Sequence, residues 1–285
     1  MSVVLIKELR ERTGLSLLEC KRALAATAND VEKAIEELRK SSGMKAAGKA
    51  GRIAADGVVM LRVSEDNSYG SMVEINSETD FVARDKNFLA FAGRVADTAF
   101  VSRNTDLGSL MAGELESARE DLVQKIGENI SVRRITALAT DEGVIGSYVH
   151  GNNRIAVLVQ LKGGDTELAR DVAMHVAAVS PRVVAPRDMP EDVLAKEREI
   201  LTAQASDSGK PPEIVEKMIG GRIRKFLSEN SLLEQAFVKD PDLTVGKLVA
   251  GAGAEVITFS RYQVGEGIER KAVDFATEVA AQLQG

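Results

Sequence analysis

The order of predicted elements repeats in the middle of the chain, and this repetition constrains the fold more than any other feature. Two strands and then a helix are predicted twice, over residues 57–63, 69–75 and 87–100, and again over residues 143–148, 154–161 and 167–178. Because a two-stranded hairpin needs a helix or further strands to cover one face, each half is expected to form an α+β layer. The sequence therefore predicts an α+β fold with a duplicated core.

Further elements are predicted around these two halves. Residues 115–126 have helical periodicity, and residues 131–138 are compatible with another strand. Residues 255–263 alternate in a manner typical of a last strand. A terminal amphipathic helix over residues 273–283 is expected to pack on the chain itself or on a partner.

The first 42 residues predict a compact module of three short helices. Gly14 follows the first helix in the position of a C-terminal cap. Ser16 and Glu19 match a capping box, and residues 29–32 repeat that device before a third helix over residues 31–40. Residues 43–56 contain Ala, Gly, Lys and Arg without a large periodic apolar face, which indicates a partly helical linker.

A different pattern begins at Pro181. This proline, with Pro186 and Pro190, indicates an exposed connection. Two helices are predicted over residues 191–206 and 212–227, so an inserted antiparallel helical hairpin is expected. Ile214, Met218 and Phe226 can pack either inside this hairpin or against another chain. The predicted domains are residues 1–42 (three-helix module), 43–56 (linker), 57–139 (first core subdomain), 140–180 with 228–270 (second core subdomain), 181–227 (hairpin) and 271–285 (terminal helix).

Composition narrows the class of protein. A formal net charge of -6 disfavours direct nucleic-acid binding, since proteins that neutralise phosphates usually carry a basic excess. Cys20 is the single cysteine, so an intramolecular disulfide and a multi-thiolate metal site are both excluded. No apolar run reaches the roughly 20 residues that cross a bilayer, and helix-forming sequence begins almost at Met1. A cytoplasmic protein without membrane contact is expected.

The chain shows no motif for covalent chemistry or for a cofactor. Phosphate-binding loops, dinucleotide glycine fingerprints and nucleophile elbows are absent from the sequence. His175 lies in a predicted helix and is interpreted as structural, whereas His150 lies at a hairpin turn and is either solvated or functional. The carboxylates are scattered, so no acid–base pair is predicted. These absences disfavour an enzyme and predict no bound cofactor.

The turn after the second strand of the first half is unusual. Residues 79–83 place an acid, Asp80, and a large aromatic, Phe81, where a turn usually recruits Gly, Asn, Ser or Pro. Aromatic residues make up only 4% of the chain, and it has no tryptophan. The corresponding loop of the second half, residues 162–165, is shorter and lacks this pair. Phe81 is therefore expected either to fold back onto the core or, as the second half favours, to contact a partner.

Six short motifs in order resemble the elongation factor Ts family over nearly the whole chain, from about residue 5 to residue 279. They are LRERTG at residues 9–14, AADG at 54–57, TDFVA at 79–83, KIGENI at 125–130, HG at 150–151 and VGEG at 264–267. The resemblance implies a ubiquitin-associated-like first module, two related core subdomains and an inserted helical hairpin. It also implies nucleotide exchange on the GTPase elongation factor Tu, without covalent chemistry.

The resemblance further implies which residues meet that partner. Asp80 and Phe81, with Val82 and Ala83, are expected to press between two helices of the nucleotide domain and to disturb its magnesium site. Other contacts are implied for Arg10, Leu17, Leu18, Lys21, Ile126, Gly127, His150 and Val238. Lys239 departs from the family pattern, since an apolar residue can occupy its place, and this puts an apolar contact there in doubt.

Three other functions remain compatible with parts of the sequence. The first module alone fits a binder of ubiquitin-like ligands, and an active site assembled from distant residues fits an unrecognised enzyme. A structural homodimer through the helical hairpin is the third alternative. None of these gives the longer loop of the first half a purpose.

Overall fold

The computed structural model describes residues 2–206 and 211–269. The predicted terminal helix lies outside the described residues, as does most of the connection between the two hairpin helices. Within this part of the chain the protein mixes ten α-helices with antiparallel sheets, which confirms the α+β class.

The helices and strands have the following bounds. The helices are α1 Val3–Thr13, α2 Leu17–Ala26, α3 Val31–Lys49, α4 Lys86–Ser102, α5 Leu107–Met111, α6 Glu114–Ile126, α7 Thr166–Val179, α8 Glu191–Ser206, α9 Pro212–Asn230 and α10 Val245–Gly251. The strands are β1 Asp56–Val63, β2 Tyr69–Ser77, β3 Ser131–Ala139, β4 Val144–His150, β5 Ile155–Lys162, β6 Ala236–Phe237, β7 Asp240–Thr244 and β8 Glu255–Gln263.

Two three-stranded antiparallel sheets have the same topology. One has the order β1-β2-β3 and the other β4-β5-β8, so in each the third strand pairs with the second. Each sheet carries one β-bulge, between Glu74 and Ile75 in the first and between Gln160 and Leu161 in the second. Gly57 and Gly143 also correspond, since both have positive φ and a Cβ on either would meet the carbonyl of the residue that follows the register shift on the neighbouring strand, Ile75 or Leu161.

The two sheets pack face to face, with a helical layer on the outer side of each. Side chains alternate along the strands, so Val58 faces α4 and α6 whereas Val59 faces the second sheet. Met72, Ile145 and Leu158 fill the space between the sheets. The central strand β2 is buried along its whole length because both of its faces are covered. This strand leads directly into the unusual turn.

The first module has its own small core, and its capping differs in part from the prediction. Ser16 and Glu19 form the predicted capping box. At the third helix only Asp30 caps, accepting the Lys33 N–H at 3.1 Å. Glu32 instead binds the Arg12 guanidinium, with a nitrogen–oxygen distance of 2.6 Å.

Helix α3 is longer than predicted and joins the module to the core. It continues to Lys49 instead of ending near residue 40. The apolar stripe ends early, but alanine is the best helix former and Ala46 is small enough to pack in the first core beside α6. The first part of the predicted linker is therefore helix.

The buried cluster between helices α8 and α9 consists of side chains that the sequence analysis did not name. Leu201, Ala205 and Ile219 are buried between them. Ile214 is nearly half exposed, so of the two alternatives the structure does not support packing of Ile214 inside the hairpin. Phe226 is partly buried and lies below the Arg182 guanidinium, 5.9 Å from its ring centroid. The residues of α9 that face α8 are Val215, Ile219 and Ile223, which follow an i, i+4 spacing. Val215 and Ile219 each lie one position after a residue named in the prediction, Ile214 or Met218.

Candidate protein-interaction site

The turn after β2 presents one aromatic ring to solvent. Phe81 is 81% exposed, although it follows the fully buried strand β2. Its backbone is helical and leads into a short 3₁₀ turn, Val82–Arg84. Of the two alternatives for Phe81, the structure excludes the one in which the ring folds back onto the core.

Asp80 shares the solvent side of this turn. Its carboxylate lies 2.7 Å from the Arg84 guanidinium, which is largely exposed, and the Asp80 side chain is itself partly exposed. Such a pair in water contributes little to stability, so a partner could recruit either charge at low cost. The turn therefore offers an exposed ring beside a weakly held carboxylate.

Val82 and Ala83 point the other way. Both are buried in the first core, which also contains Phe88 at the start of α4. Asp85 caps that helix by accepting the N–H groups of Asn87 and Phe88. The four residues predicted as one contact therefore divide, with Asp80 and Phe81 on the surface and Val82 and Ala83 anchoring the turn from below.

Two glutamates cross-link this turn to the end of α6. The Glu128 carboxylate accepts both the N–H of Thr79 at 3.0 Å and its hydroxyl at 2.7 Å. In return, Glu78 accepts the N–H of Asn129 at 2.5 Å. Two motifs far apart in the sequence therefore meet directly beneath Phe81.

The end of α3 binds the same place. Lys49 Nζ donates to the Gly127 carbonyl at 2.6 Å, and the Asn129 amide donates to the carbonyls of Ala50 and Arg52. The connection from the first module therefore ends at the support of the exposed turn.

Ile126 and Gly127 lie beside this support and are both partly exposed. Ile126 packs against the first core. Gly127 ends α6 in the left-handed region with φ 90°, and a Cβ there would meet no atom within 4 Å. Backbone conformation, and not lack of space, favours glycine at this position.

The predicted residues of the first module lie on its surface. Leu17 and Leu18, at the start of α2, are more than half exposed. Arg10 and Lys21 are also exposed, and among the described residues neither forms an ion pair. The module thus presents two leucines and two cations that are available to a partner.

His150 ends β4 and is exposed. Its Nδ1 lies 3.1 Å from the Tyr148 hydroxyl, and the two rings stack with an interplanar angle of 29°. Residues 151–153 follow, all with positive φ, which makes a tight protruding turn. His150 is held in place by Tyr148 and remains accessible.

Val238 lies on a second exposed loop, which a buried histidine supports. His175 Nδ1 accepts the Val238 N–H at 3.3 Å, and its Nε2 lies 3.0 Å from Oε1 of Gln235. Burial lowers the pKa of His175, and the hydrogen bond with Gln235 only partly opposes this shift. The ring is fully buried and structural, as predicted. Lys239, next to Val238, pairs with Asp171 of α7.

Sequence reasoning missed Glu78, Glu128 and Lys49 as parts of this site. The only signal was that Glu128 lies inside the motif at residues 125–130. Within residues 2–206 and 211–269, no group of three or more His, Cys, Asp or Glu side chains could hold a metal ion. In the same part of the chain no helix is both long enough and apolar enough to cross a bilayer.

Comparison with known proteins places this arrangement in a family. The model of the family described as Elongation factor TS matches residues 78–266. A protein named Elongation factor Ts from Hahella chejuensis is 64% identical over 285 residues, which cover 100% of this chain and 99% of that protein. Proteins of the same name from Saccharophagus degradans and Teredinibacter turnerae are 61% and 60% identical, each over 99% of this chain and over 98% and 97% of their own length. The chain belongs to the elongation factor Ts family, a family of translation elongation factors.

Proposed function

We propose that this chain is a guanine-nucleotide exchange factor for elongation factor Tu and acts in the cytoplasm during translation elongation. In this proposal Phe81 and Asp80 insert between two helices of the GTPase and disturb its magnesium site, so that GDP leaves. The observation that carries the proposal is the exposure of Phe81 on a turn that is braced from two sides.

Exchange requires only differential binding. A ligand shifts an equilibrium by the difference in its affinity for two states, so the chain must bind the nucleotide-free GTPase more tightly than the GDP-bound form. By reciprocity, GDP must weaken binding of the chain by the same factor. No covalent step is needed, which agrees with the absence of a catalytic motif in the sequence.

Magnitudes indicate that one ring is not sufficient. A thousandfold faster release of GDP corresponds to about 4 kcal/mol. Burial of one phenylalanine ring contributes roughly 1.5–3 kcal/mol. Phe81 can therefore supply a large share, and the remainder must come from contacts close to the wedge, such as those of Asp80, Ile126 and Gly127.

The other contacts are proposed at three places on the surface. The first module offers Arg10, Leu17, Leu18 and Lys21; the end of α6 offers Ile126 and Gly127; and the second half of the core offers His150 and Val238. Val82 and Ala83 hold the wedge from inside. Because Lys239 pairs with Asp171, any contribution from Lys239 would be polar.

The family resemblance also supports the finer description of the domains. We interpret α1–α3 as a ubiquitin-associated-like module and the two sheets with their helices as related subdomains. The exposed Ile200 and Ile214 on α8 and α9 would suit self-association of two copies through this helical pair.

The wedge is tested by Phe81→Ala. We expect the variant to fold and to slow chain-stimulated release of GDP from elongation factor Tu by tenfold or more, about 1.4 kcal/mol or more in the release barrier. Stopped-flow release of a fluorescent GDP measures this rate. Val101→Ala is the matched control, because Val101 is an apolar side chain of α4 that is 82% exposed and outside the proposed contacts. If GDP is released as fast with Phe81→Ala as with the control, the wedge role of Phe81 is refuted.

A further inference from the structure

We propose that Glu128 is the positioning residue of the wedge turn. Its carboxylate holds Thr79, and through Thr79 it keeps Phe81 in the exposed orientation that the proposed exchange reaction needs. This inference rests on the proposed function, since the orientation matters only if Phe81 acts on a partner. It adds a role for a side chain that does not itself have to touch the GTPase.

The contact between Glu128 and Thr79 is unusually complete for a loop. Each carboxylate oxygen takes one proton donor of the same residue, with Oε2 accepting the N–H at 3.0 Å and Oε1 accepting the hydroxyl at 2.7 Å. A charged acceptor strengthens both hydrogen bonds. Two bonds to one residue fix its orientation as well as its position.

Thr79 transmits this constraint to the residues that carry the ring. Its carbonyl accepts the N–H of Ala83 at 3.3 Å, and its hydroxyl oxygen lies 3.4 Å from the N–H of Val82. The Ser77 hydroxyl also donates to the Thr79 carbonyl at 3.0 Å. Thr79 is thus the first residue of the small turn in which Phe81 stands.

The reciprocal bond makes the support a closed unit. Glu78 accepts the N–H of Asn129, so each of two adjacent pairs, 78–79 and 128–129, holds the backbone of the other. The Arg52 guanidinium lies 3.6 Å from the Glu78 carboxylate, and the Asn129 amide holds the Arg52 carbonyl. Three chain segments therefore meet in one polar cluster below the wedge.

Such a support is expected to act on release and not on encounter. A ring on a mobile turn loses conformational freedom when it inserts, and a braced turn has lost that freedom in advance. The contacts of the first module and of the second half of the core do not involve Glu128. Its loss should therefore lower the maximal rate of GDP release more than it raises the half-saturating concentration of the chain.

The first measurement uses the free chain, without any GTPase. We expect Glu128→Ala to accelerate hydrogen exchange of the Thr79 and Val82 amides, while Glu65→Gln, an exposed acid in the β1–β2 turn, leaves them unchanged. Unchanged protection in Glu128→Ala would overturn the claim that this carboxylate orders the turn. The result does not depend on whether the proposed function is correct.

The second measurement follows release of fluorescent GDP from elongation factor Tu over a range of chain concentrations. We expect Glu128→Ala to lower the maximal rate about tenfold, about 1.4 kcal/mol, with little change in half-saturation. Because Glu128 acts through Phe81, the same substitution in a Phe81→Ala background should have almost no further effect. An equal loss in both backgrounds would show that Glu128 acts by another route and would overturn the inference.

A conservative pair guards against a general loss of folding. Thr79→Val removes the hydroxyl that Glu128 accepts and keeps the backbone N–H, whereas Thr79→Ser keeps both donors. We expect slower release with Thr79→Val and near-normal release with Thr79→Ser. Equal rates for these two variants would contradict the positioning role. If Phe81→Ala slows release and Glu128→Ala does not, this inference fails and the proposed function stands.

Discussion

Glu74 and Gln160 occupy corresponding positions in the two halves of the core, but only Glu74 carries a charge. Each residue lies on the central strand just before the register shift, opposite a β-bulge in the third strand of its sheet. Glu74 is fully buried and accepts hydrogen bonds from Arg134 at 2.6 Å and from the N–H of Gly265 at 2.8 Å. Gly265 follows β8, so this carboxylate of the first sheet binds the chain as it leaves the second. The motif at residues 264–267 therefore has a structural role that its sequence alone does not reveal.

Glu74→Gln tests this role through its dependence on pH. Burial opposes ionisation of Glu74, but hydrogen bonds from Gly265, Asn76 and Arg134 outweigh it and hold the pKa below the ordinary value of 4.5. A lowered pKa in the folded state means that ionised Glu74 stabilises the fold above about pH 4.5, and that this contribution is lost as the pH falls through the folded pKa. We expect Glu74→Gln to lower the free energy of unfolding by about 1–3 kcal/mol at neutral pH.

Urea unfolding of both proteins from pH 7 down to pH 3 makes the measurement. The free energies of unfolding of the unchanged chain and of Glu74→Gln should approach each other as the pH falls below about 4.5. Glu255→Gln, at an exposed end of β8, serves as the control and should show no such trend. A gap that stays constant over this range would mean that the charge of Glu74 does not stabilise the fold.

Among the elements, those with a strong local pattern were predictable, and those defined by distant contacts were not. Local pattern predicted both hairpins, the strand before residue 139, the last strand and most of the long helices, but not the pairing of the third strand in either sheet. Strand β7, Asp240–Thr244, contains a proline and two acids, which argue against a strand, and it forms only by pairing with the two-residue strand β6. Helix α10 also escaped prediction, although Val245 and Val249 complete the second core.

The same distinction applies to the candidate site. An aromatic residue in a turn indicated exposure, and Phe81 is exposed. Its support was not predictable, because the bond between Thr79 and Glu128 joins residues 49 apart in sequence. That contact exists only because β3, which follows Glu128 along the chain, pairs with β2.

Close packing of helix α7 on β4 depends on one glycine. A Cβ on Gly146 would lie 2.4 Å from the carbonyl carbon of Ala169, and backbone cannot move aside as a side chain can. We expect Gly146→Ala to push α7 away from the sheet and to lower the free energy of unfolding by about 1–3 kcal/mol. Gly48→Ala is the matched substitution, since a Cβ on Gly48 in α3 meets nothing within 4 Å. It should raise stability by about 0.5–1 kcal/mol. Denaturant unfolding measures the free energy of unfolding of both variants. An equal decrease in the two would contradict the packing argument.

At the scale of the whole molecule, the proposed contact surfaces belong to one connected scaffold. Helix α3 has Ala34 in the core of the first module and Ala46 in the first core beside the wedge. Lys45 of α3 also pairs with Glu19 of α2 at 3.0 Å, close to Leu17 and Leu18. Because the module and the wedge are joined in this way, a partner that binds both loses its translational and rotational freedom only once. This favours binding through both surfaces.

The two surfaces should nevertheless affect different steps of exchange. Leu17→Ala with Leu18→Ala removes two exposed apolar side chains from the module, far along the chain from Phe81, so we expect it to weaken association about tenfold and to leave the maximal rate of GDP release unchanged. Phe81→Ala should do the reverse, and the triple variant should combine the two losses to within about 0.5 kcal/mol, because separated sites add.

Val3→Ala with Val4→Ala is the control, since these valines of α1 are also largely exposed but lie outside the proposed contacts. Stopped-flow titration of each variant against elongation factor Tu with fluorescent GDP separates half-saturation from maximal rate. A lowered maximal rate in the double leucine variant would mean that the module takes part in opening the nucleotide site, and the division between an anchoring surface and a wedge would have to be abandoned.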